Sequence, residues 1–325
     1  MNNENNNASL TIAPTTGKII HFFSKRFIYF AISLTIMIIG LITLATEGVQ
    51  LDIQFKGGAM LKYTYTGDIS ADDADNVASE ILGRPVSSNI TEDMKTGDKR
   101  LVLNIAGNYG VDAKDQVKFD DALKAKFPDN KLELSESSMV EPFFGHKFLT
   151  NGIIAIVLSF SLVLVYVWIR FKKIGGLSAG FMAIVALVHD VLVVFFTCVV
   201  FKIPIGDSFV AVALSIIGYS VNDTIVIYDR IRENHDLHPK LEVDTLTDLS
   251  ISQSITRSLN TNFAVFLSVT LVYVMAHINS IDSIQSFALP MAIGSVSGCY
   301  STICIAGPLW VMWQKHKAKK AEVRR

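Results

Sequence analysis

The chain has 325 residues, half of them hydrophobic and 18% charged, with a formal net charge of −1. A mean hydropathy of +0.39 is too apolar for an ordinary soluble protein of this size, and no nucleic-acid partner is expected. The apolar residues come in blocks near 28–46, 149–169, 176–201, 208–228, 262–279 and 286–313, each close to or beyond the roughly 20 residues that cross a bilayer. Six spans are predicted.

Charge in the short loops sets the orientation. Lys18, Lys25 and Arg26 precede the first span, and Arg170, Lys172 and Lys173 separate the second from the third. Arg230, Arg232 and Lys240 follow the fourth, and Lys315, Lys317, Lys319, Lys320, Arg324 and Arg325 close the chain. The opposite loops carry only Lys202 after the third span and no Lys or Arg around Asn279–Asp282. Both termini are therefore expected in the cytoplasm, with residues 47–148 outside. The first apolar run, Phe27 to Ala45, exceeds a typical signal core and lacks a clean small-x-small cleavage site, so it reads as a retained anchor. The chain divides into a basic N-terminal segment 1–26 (Asn-rich and disordered over 1–16), a first span 27–46, an exported domain 47–148, five more spans within 149–313, and a basic tail 314–325. The three cysteines, Cys198, Cys299 and Cys304, all fall in spans, so neither a disulfide framework nor a Cys-based metal site is expected.

Segment 47–147 holds 18 acidic and 12 basic residues. Leu51–Phe55 and Ala59–Tyr65 read as strands around Gly57-Gly58. A helix over 71–83 has Ser70 as its cap and Gly83 at its end. Strands near Val86–Ile90 and Leu101–Ile105, a helix over 112–127 stopping before Pro128, and a strand at Lys131–Glu136 complete it. Strand–helix–strand–strand–helix–strand is the split βαβ, ferredoxin-like plan of an α+β domain. It contains no catalytic constellation and no phosphate loop; its many carboxylates read as a solvated face rather than a metal site, and its role as contact. No cofactor and no enzymatic activity are expected.

An ionisable residue on a spanning helix costs several kcal/mol unless paired, hydrated or neutral, and marks function by default. Four qualify: His189 and Asp190 in the third span, Asp223 in the fourth, and Arg257 at the start of the fifth. Asp223 lies about five residues, on the order of 8 Å, from the cytoplasmic end of its helix. If the fifth helix starts near Ser250, Arg257 lies at similar depth on a neighbouring antiparallel helix, and the pair tunes when Asp223 takes a proton. The alternative is a static pair that locks helices together, with Ser220, Asn222 and Thr224 helping to satisfy the carboxylate. His189 and Asp190 point about 100° apart, as neighbours on a helix do, so they are not expected to pair; one of them is expected to reach Asn222 or Asp223. Asp229, Arg230, Arg232 and Glu233 form an interfacial charge cluster that sets helix depth or docks a cytoplasmic partner.

These residues also carry a resemblance. Gly218-Tyr219-Ser220, Asn222-Asp223-Thr224 and Asp229-Arg230-Ile231-Arg232-Glu233-Asn234 in the fourth span resemble the SecF family, accessory membrane subunits of bacterial Sec protein export within the resistance-nodulation-division (RND) superfamily. Ala186-Leu187-Val188-His189-Asp190, Thr256-Arg257-Ser258-Leu259-Asn260-Thr261, Pro290–Gly294 and Gly298–Thr302 extend it. The chain departs from the family pattern at Gln54-Phe55-Lys56-Gly57-Gly58 and at Val140-Glu141-Pro142. The resemblance implies an α-helical polytopic protein whose six helices are half of an RND-like pseudo-symmetric bundle. It implies SecD as the other half, the SecYEG channel as partner, SecA as motor of the same pathway, and exported unfolded polypeptide as cargo. It also places the proton-pathway carboxylate on Asp223 and the essential arginine on Arg257. A self-sufficient homodimeric small-molecule exporter and a passive scaffold are the competing classes. Only one six-span half with about 100 exported residues is present, which argues for a partner.

Overall fold

The computed structural model describes residues 19–52, 55, 58–83, 86–92, 99–106, 113–140, 142–279 and 281–323. The Asn-rich stretch 1–16 and the departures at Gln54, Lys56, Gly57 and Glu141 lie outside these residues. Helix α1, Arg26–Glu47, follows a 3-10 turn at Phe23–Lys25. It stops at Gly48, whose φ of 72° leaves the helical region while its N–H still reaches Leu44 O, the use to which glycine is suited at a helix end.

Of the predicted strand Leu51–Phe55, residues 53 and 54 lie outside the described residues, and Leu51, Asp52 and Phe55 are not in the sheet. Leu51 instead makes an isolated parallel bridge to Ile205, Asp52 N–H donates to Ile205 O at 3.0 Å, and Ile205 N–H donates to Gln50 O at 2.8 Å. Phe55 is buried against Cys198 and Ile205. The short β-rich run thus finds its hydrogen-bond partners on the loop between two long helices, and tertiary contact decides its pairing.

The α+β domain follows: β1 Gly58–Tyr65, α2 Ala71–Leu82, β2 Val86–Glu92, β3 Lys99–Ala106, α3 Ala113–Lys126 and β4 Glu133–Val140. The sheet order is β2-β3-β1-β4, with every neighbouring pair antiparallel. Period-two alternation turns Ala59, Leu61, Tyr63 and Tyr65 inward with Leu101, Leu103 and Ile105. Ala74 and Ala78 of α2 and Phe119 and Leu123 of α3, at helical spacing, close over them. Gly83, in the left-handed region, ends α2 as expected, whereas the Ser70 side chain makes no cap bond. The last strand starts and ends later than its sequence suggests, because a 3-10 turn occupies Pro128–Asn130.

Phe119 is fully buried and meets Tyr63 edge-on with centroids 6.2 Å apart. Phe119→Ala is expected to cost about 3–5 kcal/mol, seen as faster hydrogen exchange across β1 and β3. Burial, reinforced by the Asp120 charge, pushes the Tyr63 phenol above its ordinary value. The neutral phenol therefore supports the fold fully below about pH 10, the unfolded value, and that support is lost as pH rises toward the folded one. Tyr63→Phe is expected to blunt the domain's alkaline unfolding, measured by circular dichroism against pH.

Five long elements remain: α4 Pro142–Arg170, α5 Gly176–Val200, α6 Asp207–Leu237, α7 Val243–Ile278, and a sixth path made of α8 Asp282–Ser301, a π-helical segment Thr302–Ala306 and α9 Gly307–Glu322. With α1, six helices among the described residues are long and apolar enough to cross a membrane. The α5, α6 and α8 paths are buried most, while α1, α4 and α7 turn apolar side chains such as Ile39, Leu158, Phe263 and Leu271 outward. Helix α7 begins at Val243 rather than near Ser250, and α6 runs on to Leu237. Both helices extend past the apolar block, held there by burial of Ile231, Leu246 and Ile251 in the core as well as by polar pairing.

Candidate functional site: buried carboxylates in the helical bundle

Three polar layers run through the bundle. At the end rich in Lys and Arg, Asp229 of α6 meets Arg170 of α4 at 3.0 Å and Arg232 at 2.9 Å. Arg230 pairs with Glu233 and donates through Nε to Gln253 of α7 at 2.6 Å. Asn234 donates to Ser250 and Gln253, each at 2.8 Å. The predicted charge cluster is thus a set of ion pairs and hydrogen bonds tying α4, α6 and α7 together. The chain's start joins it: Phe23 N–H donates to Asp248 Oδ1 at 3.0 Å and Ile20 N–H to Ser252 Oγ at 2.9 Å. Lys315 of α9 pairs with Asp244.

Asp223 lies deeper. Its side chain is buried between α6 and α7, where Ser258 donates to Oδ1 at 2.5 Å and Asn262 Nδ2 to Oδ2 at 3.2 Å. Ser258 and Asn262 stand four residues apart on one face of α7, and Asn262 also bonds Ser258 O at 2.9 Å. Sequence reasoning offered Arg257 as the partner. The structure puts Arg257 one residue before Ser258, exposed, and the direct partners of the carboxylate are Ser258 and Asn262 instead. A step of one residue turns the side chain by about 100°, so Ser258 takes the direct contact with α6, while the exposed Arg257 acts on Asp223 through its charge.

The third layer centres on Asp190, fully buried in α5. Ser220 of α6 donates to Oδ2 at 2.7 Å, Ser301 of α8 to Oδ2 at 2.6 Å, and Ser297 of α8 to Oδ1 at 2.7 Å. His189 Nδ1 lies 3.3 Å from Oδ1. The expectation that His189 and Asp190 do not pair is therefore wrong. Their Cβ bonds diverge, but a ring nitrogen and a carboxylate oxygen reach across that angle. Asp190 reaches the fourth span at Ser220, not at Asn222 or Asp223; Asn222 is exposed. Thr224 is buried and links α6 to the π-helical segment, 3.1 Å from Thr302 Oγ1 and 3.0 Å from Ser220 O. π-turns inside α-helices are rare and occur frequently at functional sites.

Sequence reading missed Ser258, Asn262, Ser297 and Ser301 as ligands of the carboxylates, and it assigned Ser220 to Asp223 where the structure gives it to Asp190. The signal was present as polar pairs at four-residue spacing, Ser258/Asn262 and Ser297/Ser301, inside otherwise apolar helices. Among the described residues no group of three or more His, Cys, Asp or Glu stands close enough to hold a metal ion. Chemically, the Asp223 carboxylate is held directly by one hydroxyl and one amide donor, an arrangement that accommodates a proton arriving or leaving with a change of hydroxyl direction.

Known proteins share this architecture. Residues 118–316 match the family model "Protein export membrane protein SecD/SecF, C-terminal". The protein translocase subunit SecF of Anaerolinea thermophila is 31% identical over 91% of this chain and 94% of its own length. That of Petrotoga mobilis is 28% identical over 92% and 98%. The crystal structure of SecDF, a translocon-associated membrane protein from Thermus thermophilus, superposes with a TM-score of 0.77 at 24% identity, over 92% of this chain and 39% of that one. With a family model over more than half its length and a SecF relative matched almost end to end, this chain belongs to the SecD/SecF family of protein-export membrane proteins, on the SecF side.

Proposed function

We propose that this chain is the SecF-type accessory subunit of the Sec protein translocase, paired with SecD and using the proton gradient to promote export of unfolded polypeptide through SecYEG, with SecA as motor of the same pathway. It is a non-enzymatic role. The observation that carries the reading is Asp223, a carboxylate buried within the spanning bundle and held by the α7 donors Ser258 and Asn262. Arg257, on the outward face next to Ser258, is then available to the second half of a pseudo-symmetric RND-like bundle, and the outward apolar faces of α1, α4 and α7 suit lipid and that partner. Both termini lie in the cytoplasm of a bacterial cell. The α+β domain, ferredoxin-like in its strand order, lies outside and handles the emerging chain, attached to the bundle through the Leu51–Ile205 bridge. Moving one charge through the whole membrane field yields about 2.3 kcal/mol per 100 mV, so a few protons per cycle bias a two-state domain motion strongly.

The test is Asp223→Asn in membrane vesicles, which keeps shape and removes titration. Gradient-stimulated export is expected to fall to the level seen without a gradient, with SecD assembly intact. Normal gradient-dependent export by an assembled complex carrying Asp223→Asn would falsify the proton-site reading and favour a passive scaffold. Arg257→Met is expected to alter the pH profile of export, and an unchanged profile at every external pH argues against its role.

A further inference from the structure

The layer around Asp190 is unlike the one around Asp223. Its two oxygens accept from three serine hydroxyls and from the His189 ring, so about four donors fill the four lone-pair positions of the carboxylate. A carboxylate so supplied is an acceptor only. It also fixes the imidazole: Nδ1 carries the hydrogen and Nε2 the lone pair. His189 is 9% exposed, and its Nε2 is buried with no hydrogen-bond partner among the described residues. Leaving a buried polar atom unpaired is costly, and such an atom inside a spanning bundle calls for a function.

We propose that His189 Nε2 is a second proton-binding site of the bundle, with Asp190 as its positioning residue and counter-charge. Uptake forms one N–H bond and turns a neutral imidazole beside a carboxylate into an imidazolium beside a carboxylate; the proton comes from water and returns to it. The arrangement matches the way a buried carboxylate orients a histidine that must take up a proton. A metal cation is not the ligand, because serine oxygens at 2.6 to 2.7 Å from the carboxylate are in direct hydrogen bond with it and leave no gap for an ion. Ser301 has a second acceptor, Gly298 O at 3.2 Å, so its hydroxyl can turn when the charge beside it changes. The π-helical segment begins at the next residue.

Asp190 and Tyr300 are the titratable groups in contact with His189, and others stand nearby on the neighbouring elements. Tyr300 of α8 lies against the ring with centroids 6.2 Å apart, its hydroxyl held on Tyr29 O and Ser33 of α1. Cys299 of α8 feels both Asp190 and the Asp223 of α6, and Cys304 stands beside Tyr300. Helices α4 and α9 bring charged residues only toward their ends. The inference rests on the proposed gradient-coupled function only for its link to export.

The experiment uses the full chain with its partner subunit in vesicles, labelled with ¹⁵N-histidine and followed by solid-state NMR over about pH 5 to 8. One ring is expected to pass from the neutral Nδ1–H tautomer to imidazolium, and its signal to vanish in His189→Asn, whose amide keeps the donor to Asp190 without a titratable nitrogen. Export in that variant is expected to lose one limb of its pH profile. If the variant does not assemble, a chain keeping only His189 of its seven histidines carries the signal alone. A His189 ring that stays neutral, or stays charged, across the range overturns the proposal, as does a wild-type pH profile in His189→Asn. Asp223→Asn separates the two readings: gradient-dependent export in that variant together with a titrating His189 removes Asp223 and leaves this site standing.

Discussion

Asp190→Ala is expected to destabilise the bundle by about 3–5 kcal/mol, the usual cost of removing one partner from a buried polar network. The substitution deletes an acceptor that Ser220, Ser297, Ser301 and His189 share. Four donors on three helices then stay buried, each unmet group costing about 1–3 kcal/mol before relaxation. Relaxation is limited: Ser301 can turn to Gly298 O, and serines in helices can bond the carbonyl one turn back, but His189 gains nothing. Asp190→Asn retains an acceptor oxygen and is expected to cost clearly less. Thermal unfolding of the purified SecD–SecF complex in detergent measures both; equal melting of Asp190→Ala and the wild type would show that the hydroxyl cage contributes no stability.

Gly294→Leu should disturb the same site without touching a polar atom. A Cβ at Gly294 would stand 2.8 Å from both Ile216 Cγ1 of α6 and Val194 Cγ2 of α5, so α8 must move away from both helices. Overpacking of this kind costs about 1–3 kcal/mol. The displaced helix carries Ser297 and Ser301, which lie one and two turns further on and reach Asp190 at 2.7 and 2.6 Å. Hydrogen bonds weaken steeply with such displacements. Gradient-stimulated export is therefore expected to fall several-fold in a variant that still inserts. Gly298→Ala is the contrast: its Cβ would meet Ser220 Cβ at 3.3 Å, a contact that a few tenths of an ångström relieve. If both variants export like the wild type, close approach of α8 is not what builds the site.

The two changes probe different parts of one construction. Asp190→Ala removes the centre of the hydroxyl cage and leaves the helix packing in place. Gly294→Leu keeps every polar group and moves the helix that presents them. Parallel losses from both would tie the polar chemistry to the close approach of α8 to α5 and α6.

Much of this was legible in the chain itself. Long apolar blocks specify spanning helices because backbone groups in hydrocarbon must pair within their own segment, and all six appear, although α6 and α7 run past their blocks. Period-two runs and the Gly83 and Pro128 stops located the α+β domain's elements, since those signals are local. The start of the predicted strand Leu51–Phe55 pairs elsewhere for the opposite reason: a short β-rich segment takes whichever edge or loop stands beside it, and Leu51 bridges Ile205.

For the site, the sequence by itself determined which groups are costly in a membrane, Asp190, Asp223, His189 and Arg257, because the cost belongs to the residue type and its depth. It did not determine who satisfies them. Spacing made Arg257 the neighbour of Asp223, and its charge does act there, but helix rotation gives the direct contact to Ser258. Adjacent positions separated His189 from Asp190, but side-chain reach joins them. Partners of a buried carboxylate are set by how helices rotate and pack, and that is tertiary: Ser220, Ser297 and Ser301 reach Asp190 from α6 and α8 only because the two helices close on α5.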